Sequence, residues 1–264
     1  MIIVSARSDF DDPDKISTNG HQVKEIDLIN DSVVNQSIDL NNILQGKSVL
    51  FLVHGYNNEQ FEVYDAYQII EKKVANHLAG KYDYVIGYSW PGGDRGIEWW
   101  QGKSRANGVA RMFRRQIEEL HSVCSSIDVM SHSLGARVTL KALKGSSVPN
   151  LVRNYYCTAP AVDNESLEPR EEFHNSLTST NNLYVFHSAR DGVLSMSYRA
   201  AEFDRALGLN GPEDKAFVLQ THHNIYVANC KKVIDSHGGY KRSEELYQYI
   251  SASMTKPPFE FSTL

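Results

Sequence analysis

The chain has 264 residues, of which 41% are hydrophobic and 22% are charged, and its formal net charge is -5. This composition is typical of an ordinary globular protein and excludes a disordered chain or a membrane-embedded bundle. The negative charge provides no long-range attraction to nucleic acid, so no nucleic-acid partner is expected. The length suffices for one sizeable core, and we expect a single domain over residues 1–264.

Cysteine usage and the distribution of apolar residues indicate the compartment. Cys124, Cys157 and Cys230 are widely spaced and odd in number, which favours neither a disulfide framework nor a Cys-x-x-Cys metal site. The apolar run at residues 2–4 is too short for the core of a signal peptide. No stretch reaches the roughly 18 apolar residues that cross a bilayer. We therefore expect a cytoplasmic protein without a membrane span.

The predicted elements begin with two short strands and continue as an alternation of strands and helices. Residues 2–4 and 23–28 are separated by turn-forming residues and predict an antiparallel sheet edge. Residues 48–54 form a continuous apolar run, which is typical of a strand covered on both faces. Helices are then predicted at 59–78, 104–123, 134–144 and 243–254, and strands at 82–90, 127–131, 151–157, 183–187 and 225–228. This order predicts an α/β protein with a mostly parallel, doubly wound sheet, antiparallel strands at its amino-terminal end and helices on both faces.

Two regions do not fit this alternation. Residues 91–102 contain a Pro-Gly-Gly turn and the pair Trp99-Trp100, and residues 163–182 are polar. Long connections in a compact domain are often lids or binding loops. Both regions are therefore candidate lids or pocket walls.

A strand, a tight turn and a helix follow one another around Ser133. The strand residues 127–130 lead into Ser131-His132-Ser133-Leu134-Gly135, after which the helical pattern begins. Such a turn lifts a serine hydroxyl clear of the sheet, requires small residues two positions before and after it, and directs helix amides at developing charge. The pattern predicts that Ser133 is a nucleophile.

A second motif closes the earlier buried strand with His54-Gly55-Tyr56-Asn57. A glycine here lets a backbone amide turn into the cleft as a donor to an oxyanion. Both motifs lie at the ends of predicted strands. We expect His54 and His132, which flank this site, to pack or hydrogen-bond structurally.

These motifs, together with Tyr88-Ser89-Trp90-Pro91, resemble the α/β hydrolases, and within them a bacterial group of uncharacterised function with a His-Gly-Tyr-Asn turn. The resemblance covers roughly residues 47–249. It implies the α/β-hydrolase fold and a serine hydrolase. Ser131 stands where this family more commonly has glycine.

The resemblance also implies that the acid and then the histidine follow the serine along the chain. It places the base at His237, in a glycine-rich loop before the last helix, with the pair His222-His223 as the alternative. Asp191 lies just past a buried strand, at the family's usual acid position, and Asp163, just past the preceding strand, is the competing carboxylate.

These roles define the expected reaction. His237 would remove the Ser133 proton during attack, Asp191 would orient the imidazole, and the amides of Tyr56 and Leu134 would bind the oxyanion. The expected substrate is a small acyl compound, an ester, thioester or amide, cleaved through an acyl-serine without a metal or organic cofactor. An acyltransferase with the same triad and a catalytically inactive binding protein are the alternatives.

Overall fold

A ten-stranded sheet forms the centre of the molecule in the computed structural model, which describes residues 1–56, 58–93, 95 and 98–264. The strands in chain order are β1 (Ile2–Ser5), β2 (Gln22–Asp27), β3 (Ser32–Asn35), β4 (Ser48–Val53), β5 (Tyr84–Ser89), β6 (Ser126–His132), β7 (Val152–Thr158), β8 (Thr180–His187), β9 (Asn224–Asn229) and β10 (Phe261–Thr263).

The order across the sheet is β10-β9-β8-β7-β6-β4-β5-β1-β2-β3. The pairs β1–β2 and β2–β3 are antiparallel, and every other neighbouring pair is parallel. The predicted mostly parallel sheet with antiparallel amino-terminal strands is therefore confirmed. Because β5 and β6 lie on opposite sides of β4, the direction of winding reverses at β4. In open α/β sheets, ligands bind at the carboxyl ends of the strands beside such a reversal.

The α-helices are α1 (Leu40–Ile43), α2 (Gln60–His77), α3 (Trp99–His121), α4 (Gly135–Lys144), α5 (Arg199–Glu202), α6 (Leu207–Asn210), α7 (Lys215–Gln220) and α8 (Glu244–Ser253). Two 3-10 segments span His174–Ser179 and Gly239–Arg242, and a π-helical turn spans Leu194–Tyr198. No helix in the described parts of the chain is both long and apolar enough to cross a membrane.

Helices cover both faces of the sheet, as the alternation of buried side chains on β4 shows. The Phe51 ring contacts the Phe113 ring of α3 at a centroid distance of 5.9 Å. The next residue, Leu52, points to the opposite face, because successive strand residues alternate. On that face, the hydroxyl of Tyr67 from α2 lies within hydrogen-bonding distance of two carbonyls, those of Leu52 at 2.9 Å and Tyr88 at 2.6 Å. The helices α2 and α8 contact each other, as do α3 and α4.

Several elements differ from the prediction. The strand β3 is fully exposed and, among the described strands, pairs with β2 alone, so it lacks the buried face that period-two patterning detects. The helix α3 begins at Trp99 and not at residue 104, so the last residues of the region 91–102 are helical. The strand β8 begins at Thr180, inside the region 163–182. Short elements such as α5 to α7 and β10 contain too few residues to show a periodic pattern of apolar side chains.

Candidate active site

Ser133 lies in a strained turn between β6 and α4. Its φ angle is 55°, in the left-handed region that residues other than glycine seldom occupy. The turn is held by hydrogen bonds from the Ser133 amide to the Thr158 carbonyl and from the Ala136 and Ala161 amides to the Ser133 carbonyl. Since strained backbone clusters at functional sites, this geometry supports a functional role for Ser133.

The small residue two positions after Ser133 is required by the approach of β4. A Cβ atom on Gly135 would lie 2.4 Å from the His54 carbonyl oxygen and 2.6 Å from that of Val53. Both contacts are with backbone, which cannot move without breaking the sheet. The start of α4 therefore packs directly against the end of β4.

Ser131, two positions before Ser133, occupies a polar niche. Its hydroxyl lies 2.7 Å from the Tyr155 hydroxyl, which also accepts from the Cys157 thiol at 3.2 Å. All three side chains are buried. This niche explains how the turn accommodates serine where the family more commonly has glycine.

Asp191 and His237 are joined by a short hydrogen bond. His237 Nδ1 donates to Asp191 Oδ2 at 2.7 Å, and the Leu194 amide donates to Asp191 Oδ1 at 3.0 Å. Asp191 is completely buried, whereas His237 is partly exposed. Because both carboxylate oxygens accept hydrogen bonds, the carboxylate has a fixed orientation against the imidazole.

The alternative acid and bases lie in other surroundings. Asp163 Oδ1 accepts from the Tyr198 hydroxyl at 2.5 Å. His223 packs against His222 at a centroid distance of 4.0 Å and against His174 at 6.2 Å. The two adjacent histidines precede β9 and therefore lie at the amino-terminal ends of the parallel strands, whereas Ser133 follows β6 at their carboxyl ends. Of the sequence candidates, the structure thus brings Asp191 and His237 together.

Ser133 and His237 line the same cavity, whose volume is about 240 Å³. Among the described residues, no hydrogen bond connects the Ser133 hydroxyl to His237. Such contacts are often long in the absence of substrate and tighten in the complex. His132 holds the loop of His237 in place, because its Nε2 donates to the His237 carbonyl at 2.8 Å and the two rings are 4.6 Å apart.

The cavity continues along the α2 face of the sheet. Its apolar wall is contributed by β4, α2 and β6 and includes Leu52, Ala66, Ile70 and Met130. Asn58, Glu62 and Lys241 also line it. No described residue of 91–102 or 163–182 lines this cavity. The role of either region as a lid stays a prediction.

The turn after β4 lies against Ser133. A Cβ atom on Gly55 would lie 3.0 Å from Ser133 Cβ, so only glycine permits this close approach without displacement. In the described part of the molecule, neither the Tyr56 amide nor the Leu134 amide donates to a protein acceptor. Both amides are thus without an acceptor among the described residues, and both belong to the turns that meet at Ser133. Asn57, the last residue of the motif, lies outside the described residues.

Burial changes the acid–base behaviour of the neighbouring histidines. Burial, reinforced by the nearby His237, lowers the pKa of His132 to about 3. Burial, with Arg7 nearby, holds the pKa of His54 well below its usual value. Both imidazoles therefore stay neutral at pH 7 and are weak bases, in agreement with the expected structural roles.

Arg7 is a neighbour of the site that the sequence patterns did not single out. It is fully buried at the end of β1, and its guanidinium lies 3.5 Å from His54 Nε2 and donates to the Asn58 carbonyl at 3.2 Å. A charged residue two positions after the buried strand Ile2–Ser5 was the available signal. Among the described residues, no group of three or more His, Cys, Asp and Glu side chains is arranged to hold a metal ion.

Comparison with known proteins places the chain among the α/β hydrolases. A family described as alpha/beta hydrolase of unknown function (DUF900) matches residues 31–238. The predicted membership of the α/β hydrolases and the predicted fold are thereby confirmed. No curated protein shows significant sequence similarity to the chain.

The fold is also similar to solved structures of low sequence identity. An esterase of Pyrococcus furiosus is 13% identical over 80% of this chain and 83% of its own, with a TM-score of 0.43. Esterase PE8 is 14% identical over 81% and 94%, with a TM-score of 0.45. Esterase 2 of Thermogutta terrifontis, bound to propionate, is 13% identical over 80% and 81%, with a TM-score of 0.39. These similarities carry no inference about substrate.

Proposed function

The chain belongs to the α/β-hydrolase family DUF900, and we propose that it is a serine hydrolase that cleaves carboxylic esters through an acyl-serine intermediate. One observation carries the proposal: His237, hydrogen-bonded to the buried Asp191, lines the same cavity as the strained Ser133. A serine hydroxyl is a poor nucleophile at neutral pH until a base removes its proton.

In the proposed reaction, Ser133 Oγ forms a bond to the substrate carbonyl carbon while its proton passes to His237 Nε2. Asp191 accepts a hydrogen bond from the Nδ1–H of His237, which keeps this proton, and the carboxylate stabilises the imidazolium. The proton is then transferred to the leaving alcohol, whose bond to the acyl carbon breaks. Water, activated by the same imidazole, releases the acid and regenerates Ser133.

The negative oxygen of the tetrahedral intermediate needs donors that do not have to reorganise. The amides of Tyr56 and Leu134 are candidates for this role because no described acceptor pairs with them and their turns meet at Ser133. In a well-studied hydrolase, the loss of one such donor costs about 2.7–4 kcal/mol of transition-state stabilisation.

The cavity suggests which acyl groups fit. An engineered apolar cavity of about 150 Å³ holds benzene, which has six non-hydrogen atoms. By proportion, the cavity of about 240 Å³ beside Ser133 accommodates roughly ten non-hydrogen atoms. Because its wall includes apolar side chains of β4, α2 and β6, the proposed substrates are esters of short to medium apolar acids.

A fluorophosphonate probe tests the nucleophile. We expect the probe to modify Ser133, as located by mass spectrometry, and Ser133→Ala to abolish both labelling and turnover of p-nitrophenyl esters. Ser122→Ala is a matched control, because Ser122 is exposed and its hydroxyl donates to the Glu119 carbonyl of α3. An unlabelled Ser133, under conditions that label a reference hydrolase, would overturn the proposal.

A series of p-nitrophenyl esters tests the substrate class. We expect kcat/KM to fall for acyl chains longer than about ten carbons, as the cavity volume requires. A labelled Ser133 without ester turnover would show that the acyl substrate is a thioester or amide, or that the acyl acceptor is not water.

A further inference from the structure

His54 is clamped by Trp90, the residue that follows β5. The Trp90 amide donates to His54 Nε2 at 3.0 Å, and Trp90 Nε1 donates to the His54 carbonyl at 2.8 Å. The two rings are stacked, with centroids 5.4 Å apart and an interplanar angle of 13°. The imidazole therefore has one fixed orientation.

This orientation also fixes the tautomer of His54. A backbone N–H can only donate, so Nε2 must carry the lone pair that receives the Trp90 amide. The guanidinium of Arg7, 3.5 Å from Nε2, likewise offers only donors. Nδ1 therefore carries the proton, and it donates to the Gly55 carbonyl at 2.9 Å.

The Gly55 carbonyl belongs to the same peptide group as the Tyr56 amide. A hydrogen bond accepted by a peptide carbonyl polarises the peptide, and its N–H then becomes a stronger donor. Gly92 leaves room for this arrangement, because a Cβ atom there would lie 2.9 Å from the Gly55 oxygen. His54 thus acts on the amide proposed to bind the oxyanion.

Arg7 supplies a buried positive charge to this arrangement. Among the described residues, no carboxylate lies within ion-pairing distance of its guanidinium, and the described contacts of that group are carbonyls and His54. Burial lowers the pKa of Arg7, and the nearby carboxylates of Asp11 and Asp12 only partly oppose this effect. A buried charge without a direct ion pair is costly, so its retention calls for a role. Close to Nε2, the cation draws electron density from the imidazole and strengthens its Nδ1–H as a donor.

We propose that His54 is a positioning residue that polarises the Gly55–Tyr56 peptide, and that the buried charge of Arg7 reinforces it. The inference rests on the proposed function in one respect: the Tyr56 amide has to bind the oxyanion. The chain of contacts runs from Arg7 through His54 to the Gly55 carbonyl, and none of these side chains gives or takes a proton.

The expected effect follows from the strength of one donor. Loss of an oxyanion donor lowers kcat by about 10²–10³, and cooperative polarisation contributes about 10–30% per bond, which corresponds to a loss of about 2- to 8-fold in kcat. The KM of an ester substrate should stay unchanged, because the oxyanion exists only after attack.

Two substitutions separate polarisation from simple packing. His54→Asn places an amide nitrogen where Nδ1 was and keeps the donor to the Gly55 carbonyl, but loses the acceptor for the Trp90 amide. His54→Gln places its amide where Nε2 was and keeps that acceptor, but loses the donor to Gly55. We expect His54→Gln to lower kcat by about 2- to 8-fold, and His54→Asn to stay closer to the wild-type kcat although its melting temperature falls more.

The opposite order, with His54→Gln near wild type and His54→Asn impaired, would show that His54 only supports Trp90 and would overturn the proposal. His21→Gln is the matched control, because His21 is a partly buried histidine on the Tyr88 hydroxyl at 3.1 Å. It should alter the melting temperature without altering kcat.

Nuclear magnetic resonance of the wild type provides a measurement that does not depend on activity or on the folding of a variant. We expect His54 to show a protonated Nδ1 and an unprotonated Nε2, with a scalar coupling across the hydrogen bond to the Gly55 carbonyl. A protonated Nε2 would refute the inference. If the probe fails to label Ser133, the proposed function fails, whereas these signals still decide whether His54 polarises the peptide.

The contribution of Arg7 is tested by Arg7→Lys and Arg7→Met. Lysine retains the charge but not the planar fork, so Arg7→Lys should retain more of the wild-type kcat than Arg7→Met. Arg153→Lys and Arg153→Met are matched controls, since Arg153 pairs with the buried Asp128 at the other end of β6. Equal kcat values for both Arg7 variants, with native melting curves, would show that the charge of Arg7 does not reinforce the effect of His54.

Discussion

Replacing Asp191 by asparagine changes the tautomer of His237 without changing the shape of the site. Asp191 Oδ1 accepts from the Leu194 amide at 3.0 Å, which holds the asparagine carbonyl on that side. The new NH₂ group must then face His237 Nδ1, where Oδ2 now accepts at 2.7 Å. Two donors cannot face each other, so His237 must place its proton on Nε2.

A histidine with its proton on Nε2 cannot accept the proton of Ser133. The equivalent change in a well-studied serine protease lowers kcat by about 10⁴, which corresponds to about 5.4 kcal/mol of activation free energy. We expect a loss of this size for Asp191→Asn in p-nitrophenyl butanoate hydrolysis, with a parallel loss in the rate of fluorophosphonate labelling. The melting temperature, measured alongside, should stay close to the wild-type value because the side-chain volume is nearly conserved.

Asp163→Asn is the matched control for this experiment. Asp163 accepts from the Tyr198 hydroxyl and is the competing carboxylate from the sequence. Its kcat should stay within about twofold of wild type, since small changes away from the reacting groups leave transition-state binding intact. The reasoning is refuted if Asp191→Asn retains more than a tenth of the wild-type rate, or if both variants lose activity equally.

Two further predictions concern stability and the turn after β4. Burial lowers the pKa of His187 to about 4, below its unfolded value of 6.5, so the unfolded state binds this proton first and stability falls as the pH drops from 6.5 to 4. In urea denaturation at pH 7 and pH 5, His187→Asn should reduce the pH-dependent loss by about 2 kcal/mol; an unchanged loss would contradict this. Gly55→Ala should lower kcat at least about tenfold by displacing the turn from Ser133, whereas Gly192→Ala, which meets no atom within 4 Å, should not.

The sequence was informative where a buried strand ends in a chemically distinctive turn. The continuous apolar run predicted β4, and the strand-to-helix change predicted the turn at Ser133. These two segments lie side by side where the direction of winding reverses. Asp191 and His237 were predicted as acid and base from the order of residues in a family, and their hydrogen bond joins two residues 46 positions apart. No local period encodes such a contact.

The missed features share a physical reason: they depend on contacts between distant segments. His54 looked like an ordinary buried histidine, because Arg7 and Trp90 lie 47 and 36 positions away. The regions 91–102 and 163–182 were candidate walls or lids, and no sequence pattern indicated that α2 and the residues around Lys241 also line the cavity together with β4 and β6. A regular amphipathic helix gives no sign that one of its faces borders a cavity.

The hydrogen bonds that hold Ser133 have a consequence for the order in which the molecule assembles. The strained φ angle of Ser133 is maintained by bonds to Thr158 and Ala161, which follow it by 25 and 28 positions. A partly folded chain in which β6 has not yet paired with β7 would relax this turn. Covalent labelling of Ser133 would then measure the fraction of molecules with native packing. Time-resolved labelling during refolding would record when β6 pairs with β7.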